Sequence, residues 1–380
     1  MKICFVTLEY PHPKTGTSGG IGTSILNLSR GLVQLGHQVS IIIYTQDSDE
    51  QFHENGIDFY RLKNVKVKGF SLFFSQKKVE KLINSLYQQK KIDLVEVPDW
   101  TGFSALIKTK CPLIIRLNGS DTYFCHLDNR PVKPLNKFLE KRAFKKADGI
   151  ISVSEFTGNL TNKLFNQNRV FKVIPNSIDI SEFERLETPQ EVQTIFYFGT
   201  LIRKKGLLEL PAIFNEVYKH NKNVKLVLVG NNALDILENW TPTWDLMQPL
   251  FDKEAFKNVI YHGSVPYNEI KKHINQATIC VFPTFAEALP VSWIEAMALQ
   301  KPIVASNIGW AKEVIDDGID GFLVHPKDHL IYAKRIIQLL NDSKLQKEFG
   351  FNARNKVASK FSIKVVAEQS VVFYKNFLPK

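Results

Sequence analysis

Apolar runs of strand length alternate along the chain with stretches whose apolar positions recur at helical spacing. Residues 2–8 (KICFVTL), Gln38–Tyr44, Asp93–Val97, Leu113–Leu117 and Gly149–Val153 are short and largely apolar, the pattern of strands covered on both faces. Between the first two, Ile25, Leu28, Leu32 and Leu35 share one helical face, and Gly36 ends that helix. Helices are predicted near Trp100–Thr109 and over Pro134–Ala147, and Ser154 followed by Glu155 reads as a capped helix start. The polar stretch Ile180–Gln193 interrupts the pattern and reads as a linker. Beyond it, strands at Thr194–Phe198, Val224–Val229, Val259–His262, Ile279–Phe282 and Pro302–Ala305 alternate with helices that include Leu207–Lys219 and Pro290–Leu299. Asn231–Lys257, carrying Trp240 and Trp244, has no clear period, and helices at Asp328–Leu340, Leu345–Phe361 and Ser362–Leu378 end the chain. This α/β alternation, broken once, predicts two doubly wound domains.

A chain of 380 residues has material for two such domains, and no apolar run approaches a membrane span. Met1-Lys-Ile-Cys-Phe-Val-Thr reads as a first strand rather than a signal peptide. Cys4, Cys111, Cys125 and Cys280 stand too far apart for a disulfide framework or a zinc site, so a reducing, cytoplasmic compartment is expected. The net charge of +11 is uneven: 25 basic against 16 acidic residues over 1–180, but 24 against 22 over 181–380. A basic first half favours anionic membrane surfaces, phosphorylated substrates or nucleic acid; no nucleic-acid motif or basic-aromatic platform is present, which argues against the last.

Candidate chemistry gathers in Ala277–Val324. Pro290 suits the first position of a helix whose core face is Val291, Ile294 and Ala298, and Glu295 falls among those apolar positions. An ionised carboxylate there is costly unless hydrogen-bonded. Glu287 precedes the helix, and the amides near Ala288, Leu289 and Val291 would point out of its start, where phosphate is favoured. Two hydroxyl acceptors beside an amide nest describe a nucleotide-sugar site. Gly19-Gly20 opens the first predicted helix, where a tight turn admits phosphate, although no complete dinucleotide fingerprint is formed. Arg203 and Lys205 follow a strand and could clamp a diphosphate. Arg116-Leu-Asn-Gly-Ser-Asp121 places Asn118 at a strand's C-terminal end, with Asp121 a weaker candidate for the acceptor side. Asp47-Ser-Asp49 spells a metal-binding triplet but reads as a solvated turn. Phe59–Phe74 mixes lysines with Phe70, Leu72, Phe73 and Phe74. A buried excursion of the core is the favoured reading; an exposed tip for a membrane or a lipid-linked acceptor is the other. The basic helix Pro134–Ala147 likewise reads as a solvated face before a lipid-facing one.

Glu287-x7-Glu295, then Glu295-Ala-Met-Ala, Lys301-Pro-Ile-Val-Ala-Ser and Asp320-Gly-Phe-Leu-Val closely resemble the donor-site signature of retaining GT-B glycosyltransferases of family GT4. The resemblance implies two Rossmann-like domains facing across a cleft: residues 1–180 on the acceptor side, 194–361 binding the nucleotide sugar, and a helix over 362–380 crossing back. It implies transfer of a hexosyl group from a nucleoside diphosphate sugar, a UDP-sugar being the expected donor, to a glycan or lipid-linked acceptor in polysaccharide or glycoconjugate synthesis. Peripheral contact with an anionic membrane at its inner face would fit such an acceptor. By the same resemblance Lys205, with Arg203, neutralises the diphosphate; Gly19, Gly20, Ala288, Leu289, Pro290 and Val291 frame it; Glu295 takes the ribose, Glu287 the sugar, and Asn118 orients the sugar. No cofactor or metal is expected, since lysine and amides carry the charge. Thr200 stands where the family has arginine, a departure that leaves donor binding open. Two alternatives therefore stay in view: a hydrolysing nucleotide-sugar epimerase of the same fold, and a GT-B subunit without turnover that partners another transferase.

Overall fold

The apolar runs become the strands of two parallel sheets. The computed structural model describes residues 1–16, 18–185 and 193–378, so part of the expected linker, residues 186–192, lies outside the described residues. The chain forms two units, Met1–Ile178 with Phe361–Lys380, and Asp179–Lys360.

The first unit is built on β1 (Lys2–Thr7), β2 (Gln38–Gln46), β3 (Glu50–Glu54), β4 (Ile57–Lys63), β5 (Leu94–Pro98), β6 (Leu113–Leu117), β7 (Gly149–Ser152) and β8 (Lys172–Val173), in the order β3-β4-β2-β1-β5-β6-β7-β8. All pair in parallel except β3 with β4. Strand order reverses between β1 and β5, so loops leaving the C-terminal ends of those strands flank a crevice of the sheet. Helices α1 (Gly20–Gln34), α2 (Ser71–Gln88), α3 (Asp121–Leu127), α4 (Pro134–Lys146) and α5 (Glu155–Phe165) cover it. Ser154 caps α5 by accepting the Thr157 N–H at 3.1 Å, the role its sequence position predicts.

The second unit orders its six main strands β13-β10-β9-β14-β15-β16, with β9 (Thr194–Phe198), β10 (Lys225–Val229), β13 (Val259–Tyr261), β14 (Ile279–Phe282), β15 (Ile303–Ser306) and β16 (Phe322–Val324). Its reversal lies between β9 and β14. The segment without period, Asn231–Lys257, holds a two-stranded hairpin of β11 (Leu234–Asp235) and β12 (Thr241–Pro242) and two short helices, α7 (Thr243–Met247) and α8 (Lys253–Phe256). The other helices are α6 (Leu210–His220), α9 (Tyr267–Gln276), α10 (Val291–Ala298), α11 (Ala311–Val314), α12 (His329–Asn341) and α13 (Ser343–Lys356). The last helix, α14 (Ile363–Lys375), belongs to the first unit, where Val366, Ala367, Val371 and Tyr374 join the core that holds Ile25, Leu28 and Leu32 of α1.

Three expectations need correction. Trp100–Leu106 is a 3-10 segment rather than a helix to Thr109, because Thr101 and Gly102 are left-handed. A Cβ on Gly102 would sit 2.3 Å from the Leu139 carbonyl carbon, so the close approach of α4 dictates that kink. Pro290 stands at the N-cap of α10 and not inside it. Phe59 and Tyr60 are buried, but Phe70, Leu72, Phe73 and Phe74 are exposed, so the favoured reading of a buried excursion fails at its C-terminal end. Asp49 is held in place, its Oδ1 accepting the Lys63 N–H at 2.8 Å and pairing with Lys78 at 2.5 Å.

Candidate functional site

The second unit brings Lys205, Glu287 and Glu295 together at the strand-order reversal of its sheet. Gly199 follows β9 at φ 134° and Gly230 follows β10 at φ 150°. A Cβ on Gly230 would lie 1.9 Å from the Gly199 carbonyl oxygen, so both loops turn away together only with glycine there. The loop after β9 then makes one 3-10 turn, Arg203–Lys205, closed by Gly206 at φ 72°. Gly206 rests on the next loop: its Cβ would be 1.7 Å from the Pro283 carbonyl oxygen. In return the Phe285 and Ala286 amides donate to the Lys204 carbonyl at 2.8 and 3.1 Å. Two loops from neighbouring strands are laced into one rim.

That lacing sets Lys205 Nζ 2.5 Å from Glu287 Oε1, with the two side chains 21% and 16% exposed, enough for a ligand to reach both. Glu295 lies deeper on α10, among Trp293, Ile294, Ala296 and Met297. The Tyr267 hydroxyl donates to its Oε1 at 2.5 Å. Burial pushes the Glu295 carboxyl up to about 7, while the Tyr267 hydrogen bond and the cations Lys271 and Lys205 pull it back. Lys205 therefore acts on both carboxylates. Tyr197, fully buried beneath the rim, donates to the Thr200 carbonyl at 3.0 Å and fixes the start of the loop. Ala288 and Leu289 are buried beside the start of α10, and Pro290 at its N-cap makes no side-chain capping hydrogen bond.

Arg203 is directed elsewhere. Its Nε donates to Asp235 Oδ2 at 2.7 Å and its Nη2 lies 3.4 Å from Glu238, so it ties the β11–β12 hairpin to the turn. Two other words of the sequence pattern are structural. Lys301 is buried and donates to the carbonyls of Asn275 and Ala277 at 2.7 and 2.8 Å, holding the C-terminal end of α9. Asp320, also buried, pairs with Lys356 at 2.6 Å and accepts the Asp316 N–H.

In the first unit, Gly19 and Gly20 open α1, and a Cβ on Gly20 would meet nothing within 4 Å. The Gly22 amide already has an anionic partner, donating to Glu9 Oε1 at 3.0 Å. Asn118 follows β6, and its N–H donates to Asp99 Oδ1 at 2.9 Å while Gly119 takes φ 92°. Burial pushes the Asp99 carboxyl up to about 8, with the Asn118 amide opposing and Glu140 adding to the rise. Asp121 accepts from Asn136 Nδ2 at 2.9 Å and lies 3.7 Å from Arg130. Tyr267, Asp235 and Asp99 carry no periodic signal; only their partners, distant in sequence, give them a role.

Residues 18–182 match the family model described as Glycosyltransferase Family 4, and residues 179–356 the model described as Glycosyl transferases group 1. An uncharacterised glycosyltransferase of Methanocaldococcus jannaschii is 27% identical, over 99% of this chain and 98% of that protein. The capsular polysaccharide biosynthesis glycosyltransferase CapM of Staphylococcus aureus is 28% identical over 63% of this chain and 64% of its own. Among solved structures, sucrose-phosphate synthase of Thermosynechococcus elongatus superposes with a TM-score of 0.81 at 18% identity, covering 99% of both chains. HepE of Anabaena, solved in complex with UDP and glucose, gives 0.73 at 17% identity over 99% of both.

Proposed function

The chain belongs to the glycosyltransferases described by these two models and has the GT-B fold, and from that premise we propose that it moves a hexosyl group from a UDP-sugar to a glycan or lipid-linked acceptor with retention of configuration. The observation that carries the reading is the convergence of Lys205, Glu287 and Glu295 at the reversal point of one sheet. Ligands of open α/β sheets bind at such points.

In the proposed reaction an acceptor hydroxyl bonds to the anomeric carbon as the bond from that carbon to the β-phosphate oxygen breaks. The departing phosphate oxygen takes the hydroxyl proton, so UDP leaves and no covalent enzyme intermediate forms. Lys205 then exchanges part of its pairing with Glu287 for the diphosphate and stabilises the charge that grows on it. Glu287, so released, accepts hydroxyls of the transferred sugar, and Glu295 accepts those of the ribose. Ala288, Leu289, Pro290 and Val291 frame the phosphates in this proposal. Arg203 supports the turn that carries Lys205 through its hold on Asp235.

UDP binding and sugar transfer separate these roles. Glu287→Ala is expected to lower turnover by about 100-fold or more with UDP affinity within a few-fold of the parent. Lys205→Ala is expected to weaken both. Near-normal turnover in Glu287→Ala would remove the sugar-binding role.

A further inference from the structure

Tyr267 stands at the head of α9 with its hydroxyl on the buried carboxylate of α10. The helix that carries it is held at several points. Lys301 donates to the Asn275 and Ala277 carbonyls at its C-terminal end, and Asn275 Nδ2 donates to the Glu184 carbonyl at 3.3 Å. One turn on from Tyr267, Lys271 Nζ pairs with Glu182 at 3.1 Å. The same ammonium lies 4.6 Å from the centre of the Phe183 ring and 5.5 Å from that of Tyr267. Residues four apart share a helix face, so Lys271 braces the side of α9 that bears the phenol.

Tyr267 differs from the core tyrosines of this unit. It is 46% exposed, whereas Tyr197 and Tyr332 are fully buried. Its hydroxyl nevertheless reaches Glu295 Oε1 at 2.5 Å, the one hydrogen bond to the Glu295 side chain among the described residues. That bond takes one carboxylate oxygen and leaves the other for a ligand.

The charged and titratable groups acting on Glu295 are Tyr267 and Lys271 of α9 and Lys205 of the turn after β9. From the opposite side, Arg354 of α13 reaches the Ala298 carbonyl at the far end of α10. Lys205 is paired with Glu287 and Lys271 with Glu182, so the phenol is the group bonded to Glu295 directly. Hydrogen bonding to a carboxylate favours its ionised form, and an ionised acceptor holds a hydroxyl more strongly than a neutral one. Burial opposes that ionisation, so a buried carboxylate that has to accept from a ligand needs a donor from the protein itself.

We propose that Tyr267 is a positioning residue for the nucleotide: by holding Oε1 it fixes the Glu295 carboxylate in the form and orientation that present Oε2 to the ribose hydroxyls. The proposal rests on the donor reading above and adds the residue that makes this carboxylate competent near neutral pH. It needs no contact between Tyr267 and the ligand.

Calorimetric titration of the full chain with UDP at pH 6.5 and pH 9 tests it, comparing the parent, Tyr267→Phe, Glu295→Gln and the double variant. The nucleotide's own ionisation is common to all four and cancels in their ratios. Without the phenol the Glu295 carboxyl keeps its proton to higher pH. Tyr267→Phe is therefore expected to bind UDP within about twofold of the parent at pH 9 and about fivefold or more weaker at pH 6.5. In the Glu295→Gln background, which never ionises, the same substitution is expected to change affinity by less than about twofold at either pH. An equal loss at both pH values, or a loss that persists in that background, would overturn the proposal, because Tyr267 would then act on the fold or on the nucleotide itself. So would parental binding at pH 6.5. UDP affinity untouched by Glu295→Gln would instead remove the donor reading, and this proposal with it.

Discussion

Glu295 combines burial with one strong hydrogen bond, from Tyr267 at 2.5 Å. Its carboxyl sits at about 7 against an ordinary 4.5, so the folded chain favours the neutral form. The stability this contributes is present below about pH 4.5 and is lost as pH rises through 7, a change of roughly 3 kcal/mol. Glu295→Gln never ionises. Scanning fluorimetry is expected to show it melting close to the parent near pH 5 and above the parent at pH 8, while its UDP affinity falls about tenfold or more. A loss of stability equal at both pH values would mean that the carboxylate is not desolvated. This residue was legible because a titratable side chain fell on an apolar helical face. Tyr267 was not, since nothing local to it points to a partner on α10.

At the scale of elements, Lys301 joins β15 to the end of α9 by donating to two carbonyls from a buried position. Lys301→Met keeps the stem and removes the donors, so it is expected to destabilise the chain by about 1–3 kcal/mol in urea unfolding, with the slope unchanged. Gly206→Ala is expected to be at least as costly, because the new Cβ would need space held by the Pro283 carbonyl and a left-handed φ. The main strands were legible as apolar runs, since a strand covered on both faces has few polar positions to hide behind. The Trp100–Leu106 segment was not: its kink follows from α4 packing on Gly102, a contact no local pattern encodes. The hairpin in Asn231–Lys257 escaped for a similar reason, its strands being two residues each. Exposure of Phe70–Phe74 could not be read from composition, because the same residues suit a core equally well.

At the scale of the molecule, the chain leaves the first unit after Ile178 and re-enters it at Phe361. Tyr374 of α14 donates to Glu96 Oε2 at 2.5 Å, and Arg116 Nε donates to Glu96 Oε1 at 2.7 Å, all three being buried. Tyr374→Phe leaves that carboxylate short of a donor and is expected to cost about 1–3 kcal/mol. Hydrogen exchange is expected to show the loss in β1, β5 and β6 while β9 and β14 keep their protection. Equal loss in both units would mean that α14 does not act through the first unit's sheet. The charge excess also belongs to this scale, since residues 1–180 carry most of it and the proposed donor site lies in the other unit. The second unit is proposed to hold the nucleotide by Lys205 and Glu295 with the sugar at Glu287, and a crystal structure with UDP bound decides whether it does. A diphosphate oxygen is expected within hydrogen-bond distance of Lys205 Nζ, with both ribose hydroxyls on the Glu295 carboxylate. A nucleotide lying away from those two side chains would contradict it.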